Sequence, residues 1–224
     1  NRKADAGKQG RRMSVVVRVQ RAGLMTTVQD PGRPGTRHLG IPSGGAMDRL
    51  SHRLANRLVG NAETAATLEM TLTGDVLQWV QDSVIAVTGA DMAPEIQGPG
   101  ERLAALPQGR PILVVAGSVL KFGPARRGCR AYLSIAGGWD VPAIAGSRST
   151  LLRSALGGLD GRALQAGDEL RCGPHDVELA RRSAEAATGW FIRLQDLPSV
   201  VGTQLRFVPG THFGLLQTES QELM

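Results

Sequence analysis

Between residues 30 and 35 the chain reads Asp-Pro-Gly-Arg-Pro-Gly, and few backbones satisfy that order. Pro31 and Pro34 each fix φ, while Gly32 and Gly35 open the left-handed region. Asp30 and Arg33 are therefore expected on a tight, rigid loop, which is the support a binding site needs. Upstream, Leu24, Thr26 and Val28 alternate with Met25, Thr27 and Gln29, the period of a strand with one buried face. Downstream, after a second glycine-rich turn at Ser43-Gly44-Gly45, Met47, Leu50, Leu54 and Leu58 recur at helical spacing. Gly60 stands at a C′ position, so the pattern predicts a helix over 46–59. Its other face, Asp48, Arg49, His52, Arg53, Asn56 and Arg57, reads as solvated.

The rest of the chain favours a mainly β body with this one clear helix. Aromatic residues make up only 4% of the chain, against 29 Gly and 12 Pro, a composition suited to short strands joined by turns. Strands are expected at Val15 to Gln20, Val84 to Thr88 and Arg130 to Ala136. Leu68 to Thr73 is expected to pair with Val76 to Val80 as a hairpin about Gly74-Asp75, and Pro111 to Ala116 with Ser118 to Phe122 about Gly117. Leu164 to Gly167 and Asp168 to Leu170 are expected as a closing hairpin. The expected organisation is a disordered basic tail over 1–12, a β domain over 13–173, a linker over 174–203 and the start of a truncated second β lobe over 204–224. Within the linker, 175–188 is either helical or merely polar.

The net charge of +6 does not read as a nucleic-acid footprint. In residues 1–12, five basic residues against Asp5 account for +4 of it, leaving +2 for the remainder. No run of about 18 apolar residues is present, so no membrane association is expected and the location is read as cytoplasmic. Cys129 and Cys172 lack CxxC spacing and read as reduced thiols, and no histidine pair is spaced for a metal. There is no GxxxxGK[ST] for a nucleotide and no Met-Lys-Met for biotin, Lys121 lying in Leu-Lys-Phe.

Asp30, Arg33 and His38 are the candidates for chemistry, with Gln29, Ser43, Asp48, Arg148 and Ser149 as candidate substrate contacts. A carboxylate and a guanidinium three residues apart either grip one small polar ligand or pair with each other to hold the turn. His38 has the right ordinary pKa for acid–base work, but no serine lies in a GxSxG elbow beside it, Ser43 being in Pro-Ser-Gly-Gly. Asp48 at the helix start suits the helix dipole. Arg148 among Ser147, Ser149 and Thr150 would clamp an anion, on a loop expected near the first one.

Taken in order, TTVQDPGRPG, HLGIPSGGAMD and LANRLVGN, then LEMTLTGDVLQW, IAVTGADM, RAYLSIAGGWDVPAIAGSRST and GGLDGRALQAGDEL, the chain resembles the KipA-like family from about Val15 to Pro209. That family comprises allophanate hydrolase subunit 2, the C component of 5-oxoprolinase and the matching half of the carboxyltransferase domain of urea carboxylase. The resemblance implies a cyclophilin-like β-barrel. It implies pairing with a KipI-like subunit, of the type of allophanate hydrolase subunit 1 or the B component of 5-oxoprolinase, in ATP-coupled chemistry on a small amide, lactam or urea-like substrate. ATP or carboxybiotin would come through partners and the chain would be inactive alone. The alternative within the resemblance is a regulatory protein that sequesters a KipI-like kinase inhibitor. A stand-alone prolyl isomerase is disfavoured, because a proline pocket wants aromatic walls.

Overall fold

The computed structural model describes residues 15–186, 189, 191–193 and 208–222. In chain order the strands are β1 (Val15–Arg21), β2 (Met25–Gln29), β3 (Thr67–Thr71), β4 (Val76–Trp79), β5 (Ser83–Asp91), β6 (Glu95–Gln97), β7 (Ala104–Ala105), β8 (Ile112–Val114), β9 (Val119–Lys121), β10 (Arg127–Ile135) and β11 (Glu169–Arg171). The helices are α1 (Arg49–Leu58), α2 (Val177–Ala186) and α3 (Thr218–Glu222). The chain divides into two compact units, Asn1–Leu194 and Gln195–Met224.

The mainly β class expected from composition is what the first unit shows. Its strands lie in two antiparallel sheets, one ordered β11-β1-β4-β9-β6-β7 and the other β2-β3-β10-β5-β8. Val17, Val19, Leu77, Trp79 and Leu120 from the first sheet share one core with Val28, Leu68, Met70, Ile85, Val87, Leu133 and Ile135 from the second. The far face of the second sheet is also covered, since Val84, Ala86 and Ala136 cluster with Leu58 and Val59 at the end of α1 and with Ala184 of α2. Burial on both faces is why β5 reads as a nearly unbroken apolar run.

Three pairings differ from the sequence reading, two of them because the chain changes sheets where a hairpin was expected. β3 lies beside β2 and β10, whereas β4 lies beside β1 and β9. The link between them turns at Leu72, which adopts φ 57°. There it crosses the β1–β2 link so closely that a Cβ on Gly23 would stand 2.2 Å from the Thr73 carbonyl oxygen. The Gly23 amide donates to Asp75 at 2.7 Å, and burial pushes that carboxyl above its ordinary pKa. Likewise β8 pairs with β5 and β9 with β4 and β6, so Gly117 marks a change of sheet. The expected closing hairpin is a turn held by the Arg162 guanidinium on both Asp168 oxygens, after which β11 pairs with β1.

The 175–188 stretch, left open between helix and linker, contains α2, which packs on β5 and β8. In the second unit, a 3-10 turn over Phe213–Leu215 and α3 are described, with Val208 and Leu215 exposed. Of the second β lobe expected over 204–224, residues 208–222 lie within the described residues, and the basic tail over 1–12 lies outside them. Among the described residues no helix is long and apolar enough to cross a membrane.

The helix itself runs from Arg49 to Leu58 and is rotated from the sequence reading rather than matching it throughout: Leu58 is buried and Arg49, Arg53 and Arg57 are exposed as expected, but the first turns differ. Met47, before its N-terminus, is 70% exposed and Leu50 is 43% exposed, while Ser51, His52, Ala55 and Asn56 are buried. The surface beneath explains the rotation. Alternate residues of β3, β5 and β10 send Leu, Met and Val into the inter-sheet core, which leaves Thr67, Glu69, Thr88, Tyr132 and Ser134 facing α1. The Thr88 hydroxyl donates to the Ser51 carbonyl at 2.7 Å, the Ser134 hydroxyl to Asn56 Oδ1 at 2.7 Å, and Asn56 Nδ2 to the Ala65 carbonyl at 2.8 Å. Each such bond contributes about 1 kcal/mol net, and leaving its buried partner unmade costs more.

Candidate functional site

β2 ends at Gln29, and Asp30 turns inward. Its carboxylate is 5% exposed and accepts four hydrogen bonds. Oδ1 takes the Ser147 and Ser149 hydroxyls, each at 2.6 Å, and the Gly32 amide at 2.8 Å, while Oδ2 takes the Arg148 amide at 2.6 Å. Burial alone would raise this carboxyl, but the bonds from Ser147, Ser149, Arg148 and Gly32 outweigh it and hold the pKa below the ordinary value. The Thr150 amide and hydroxyl both reach the Val28 carbonyl, at 2.9 and 3.0 Å. The Ala46 amide donates to the Asp30 carbonyl at 2.9 Å, and the Arg33 amide to the Ser43 carbonyl at 2.7 Å. Three loops, 30–36, 41–46 and 147–150, are thus tied into one platform.

Arg33 lies in its centre, 1% exposed. Nη2 donates to the Ser149 carbonyl at 2.6 Å and Nε to the Ile144 carbonyl at 3.4 Å, but buried Nη1 has no hydrogen-bond partner among the described residues. Gly157 stacks so closely that a Cβ there would sit 2.2 Å from the Ser149 oxygen and 2.9 Å from Nη2. The intraloop Asp30–Arg33 ion pair weighed from the sequence is not among the salt bridges of the described residues. Instead the acid binds hydroxyls and amides and the base binds carbonyls.

The other sequence candidates are placed as follows. Ser149 is buried on Asp30, and Arg148 gives that carboxylate its amide while its own Nε donates to the Val141 carbonyl at 3.1 Å. Gln29 is buried, donating to the Thr27 hydroxyl at 2.9 Å and the Thr150 carbonyl at 3.2 Å. Ser43 contributes its carbonyl to Arg33. Asp48 caps α1, accepting from the Ser51 amide at 3.0 Å. His38 is exposed on the 3-10 turn Arg37–Leu39, and no described hydrogen bond ties it to Asp30 or Arg33.

Behind the platform runs a polar layer that the sequence reading left out. Tyr132 donates to Glu69 Oε2 at 2.8 Å and accepts from the Asp48 amide at 2.7 Å, and the Met47 amide reaches the same Glu69 oxygen at 2.8 Å. Burial, then the Glu69 charge, push the Tyr132 hydroxyl far above its ordinary pKa, so it stays protonated and donating. His52 Nε2 faces the Glu63 carbonyl at 3.1 Å, which only accepts, so Nε2 carries the proton and Nδ1 accepts from the Thr67 hydroxyl at 2.8 Å. Burial lowers the His52 pKa. The signal that would have found this layer was the polar alternation Thr67, Glu69, Thr71 on a strand whose other face is Leu68 and Met70. Chemically, the assembly offers fixed donors and a buried cation. Its hydroxyls on Ser147, Ser149 and Thr67 are spent on Asp30 and His52 inside the fold, which suits it to bind and position.

The family described as the carboxyltransferase domain, subdomain A and B, matches residues 39–224, a span that begins just after the Asp30–Arg33 loop. Urea amidolyase of Saccharomyces cerevisiae is 44% identical over 149 residues, covering 66% of this chain and 8% of its own length. The C component of Escherichia coli 5-oxoprolinase is 37% identical over 183 residues, covering 82% of this chain and 57% of its own. The crystal structure of the K. lactis urea amidolyase superposes with a TM-score of 0.67 at 41% identity, covering 76% of this chain and 10% of that one. The chain therefore spans a little over half of the bacterial protein and a small part of the fungal enzymes.

Proposed function

Because this chain belongs to the carboxyltransferase-domain family, subdomain A and B, we propose that it is a non-autonomous part of an ATP-dependent amide- or lactam-processing enzyme of the 5-oxoprolinase, allophanate hydrolase or urea carboxylase type. The platform around Asp30 and Arg33 forms one wall for a small amide, lactam or urea-like substrate, or for carboxybiotin. A KipI-like partner forms the opposite wall, and partners supply ATP or the carboxylated cofactor. The observation that carries this reading is an exposed apolar pair beside the platform. Met47, just before α1, and Leu50, in its first turn, are exposed directly after the Ser43–Ala46 loop, while Ser51, His52 and Asn56 face the sheet. Large apolar side chains left exposed beside a candidate site favour an association surface, and in relatives this domain is either a named subunit or a fraction of a longer chain.

The test is co-expression with a KipI-like protein followed by assay of ATP-dependent turnover of 5-oxoproline and of urea. The expected outcome is a stable complex that is active, with the isolated chain inert. Turnover by the isolated chain would overturn the reading. A stable complex without activity would favour the regulatory alternative, in which the chain merely sequesters its partner.

A further inference from the structure

Of the two arginines on the platform, Arg33 is sealed inside it and Arg148 is not. Arg33 serves the fold, giving Nη2 and Nε to carbonyls where solvent barely reaches. Arg148 is half-buried, and its side chain is tied at one point, Nε donating to the Val141 carbonyl at 3.1 Å. Neither of its Nη nitrogens has a hydrogen bond or an ion pair among the described residues, and neither is buried. The backbone beneath is fixed on both sides. The Arg148 amide donates to Asp30 Oδ2 at 2.6 Å, and the Arg148 carbonyl accepts from the Gly158 amide at 3.0 Å. Just upstream, Ile144 and Ser147 exchange amide–carbonyl bonds of 2.8 and 3.2 Å around Ala145 and Gly146, which adopt φ 50° and 78° in a tight two-residue turn. A left-handed alanine is strained, and such strain collects at functional sites.

The tie at Nε decides what the guanidinium has left to offer. With Nε spent, the edge shared by Nε and one Nη cannot grip a ligand with two bonds, and the edge shared by Nη1 and Nη2 remains, two N–H groups side by side in one plane. A carboxylate meets that edge with two oxygens and the opposite charge, whereas a urea or amide carbonyl meets it with one oxygen and none. Part of the side-chain freedom is already given up before any ligand arrives, which lowers the cost of binding. We infer that Arg148 is a carboxylate-binding residue, taking the acid group of a small substrate end-on through Nη1 and Nη2 beside the Asp30 latch. The inference deepens the proposed function by assigning the platform to a substrate that carries a carboxylate in preference to neutral urea. It rests on that reading only for the identity of the acid.

The test uses the whole chain with ¹³C/¹⁵N-labelled arginine, titrated by NMR with acetate against chloride at equal ionic strength. The guanidinium resonance lost in Arg148→Lys is expected to shift saturably with acetate. The resonance lost in Arg37→Lys, an exposed arginine without an ion pair among the described residues, is expected to need at least about tenfold more acetate. Arg148→Lys keeps the charge and the backbone bond to Asp30, so its Tm is expected within about 4 °C of native. In a second arm 5-oxoproline is expected to displace acetate, and its neutral amide and urea are not. In a third, Arg148→Lys is expected to retain capture of the KipI-like partner. The inference is overturned if the Arg148 resonance follows acetate no more tightly than that of Arg37, or if the neutral amide competes equally. It is also overturned if Arg148→Lys loses capture, which would give the guanidinium to an acidic side chain of the partner. Because acetate binding needs no partner and no turnover, a silent Arg148 and an inactive complex are separate results.

Discussion

Replacing Asp30 by asparagine tests whether the carboxylate is a latch or a substrate contact. The change is nearly isosteric, so any loss comes from hydrogen bonding. Asparagine Oδ1 can keep the Ser147, Ser149 and Gly32 donors, but each bond falls from charge-assisted to neutral, a loss of about 1 kcal/mol apiece. On the other side, the Nδ2 group must face the Arg148 amide that now sits 2.6 Å from Oδ2. Two donors then oppose each other in a buried space, costing about 1–3 kcal/mol. Relief of the buried charge returns part of this, leaving a net destabilisation of about 3 kcal/mol. For a domain of this size that lowers Tm by about 6–12 °C. The assay is thermal unfolding by near-ultraviolet circular dichroism at neutral and acid pH. Since hydrogen bonding holds the Asp30 pKa below 3.8, its stabilisation is present above that pH and is lost as pH falls through the folded value. The gap between native protein and variant should therefore narrow in acid. A Tm within about 2 °C of native at neutral pH, with ligand binding abolished, would refute the latch and return Asp30 to the substrate.

Tyr132→Phe strips the donor from Glu69 and the acceptor from the Asp48 amide, and should cost about 2–3 kcal/mol by urea unfolding; a midpoint equal to native would show the network to be slack. His52 is buried with a pKa lowered from 6.5, so its contribution is complete above that pH and declines as pH falls toward the folded value. Urea midpoints of the native chain should therefore drop from neutrality into mild acid with a slope that His52→Gln lacks, and parallel curves would contradict the assignment. Met47→Ser with Leu50→Ser should change the stability of the isolated chain by less than about 0.5 kcal/mol while reducing capture of a KipI-like partner. Unaltered capture would remove Met47 and Leu50 from the interface.

The alternation in β1, the apolar run of β5 and the punctuation by glycine and proline were enough to show a mainly β body. The order of its motifs was enough to show the family, because short-range geometry is written in short-range residue choice. The rigid loop at Asp30 was legible for the same reason. Strand partners were not, since pairing is long-range: the Gly74-Asp75 and Gly117 turns look like hairpins, yet each carries the chain into the other sheet. The orientation of α1 was only half legible: helical spacing alone favours burying Met47, Leu50, Leu54 and Leu58, and Leu58 is indeed buried, but Met47 and Leu50 are exposed. The polar far face of β3, β5 and β10, assembled from three separate segments, is what draws Ser51, His52 and Asn56 inward instead. The sequence singled out Asp30, Arg33 and Ser149, but which oxygen meets which donor was decided by tertiary structure. Residues more than 110 apart meet at one carboxylate there, and among the described residues Arg33 Nη1 is left without a hydrogen-bond partner.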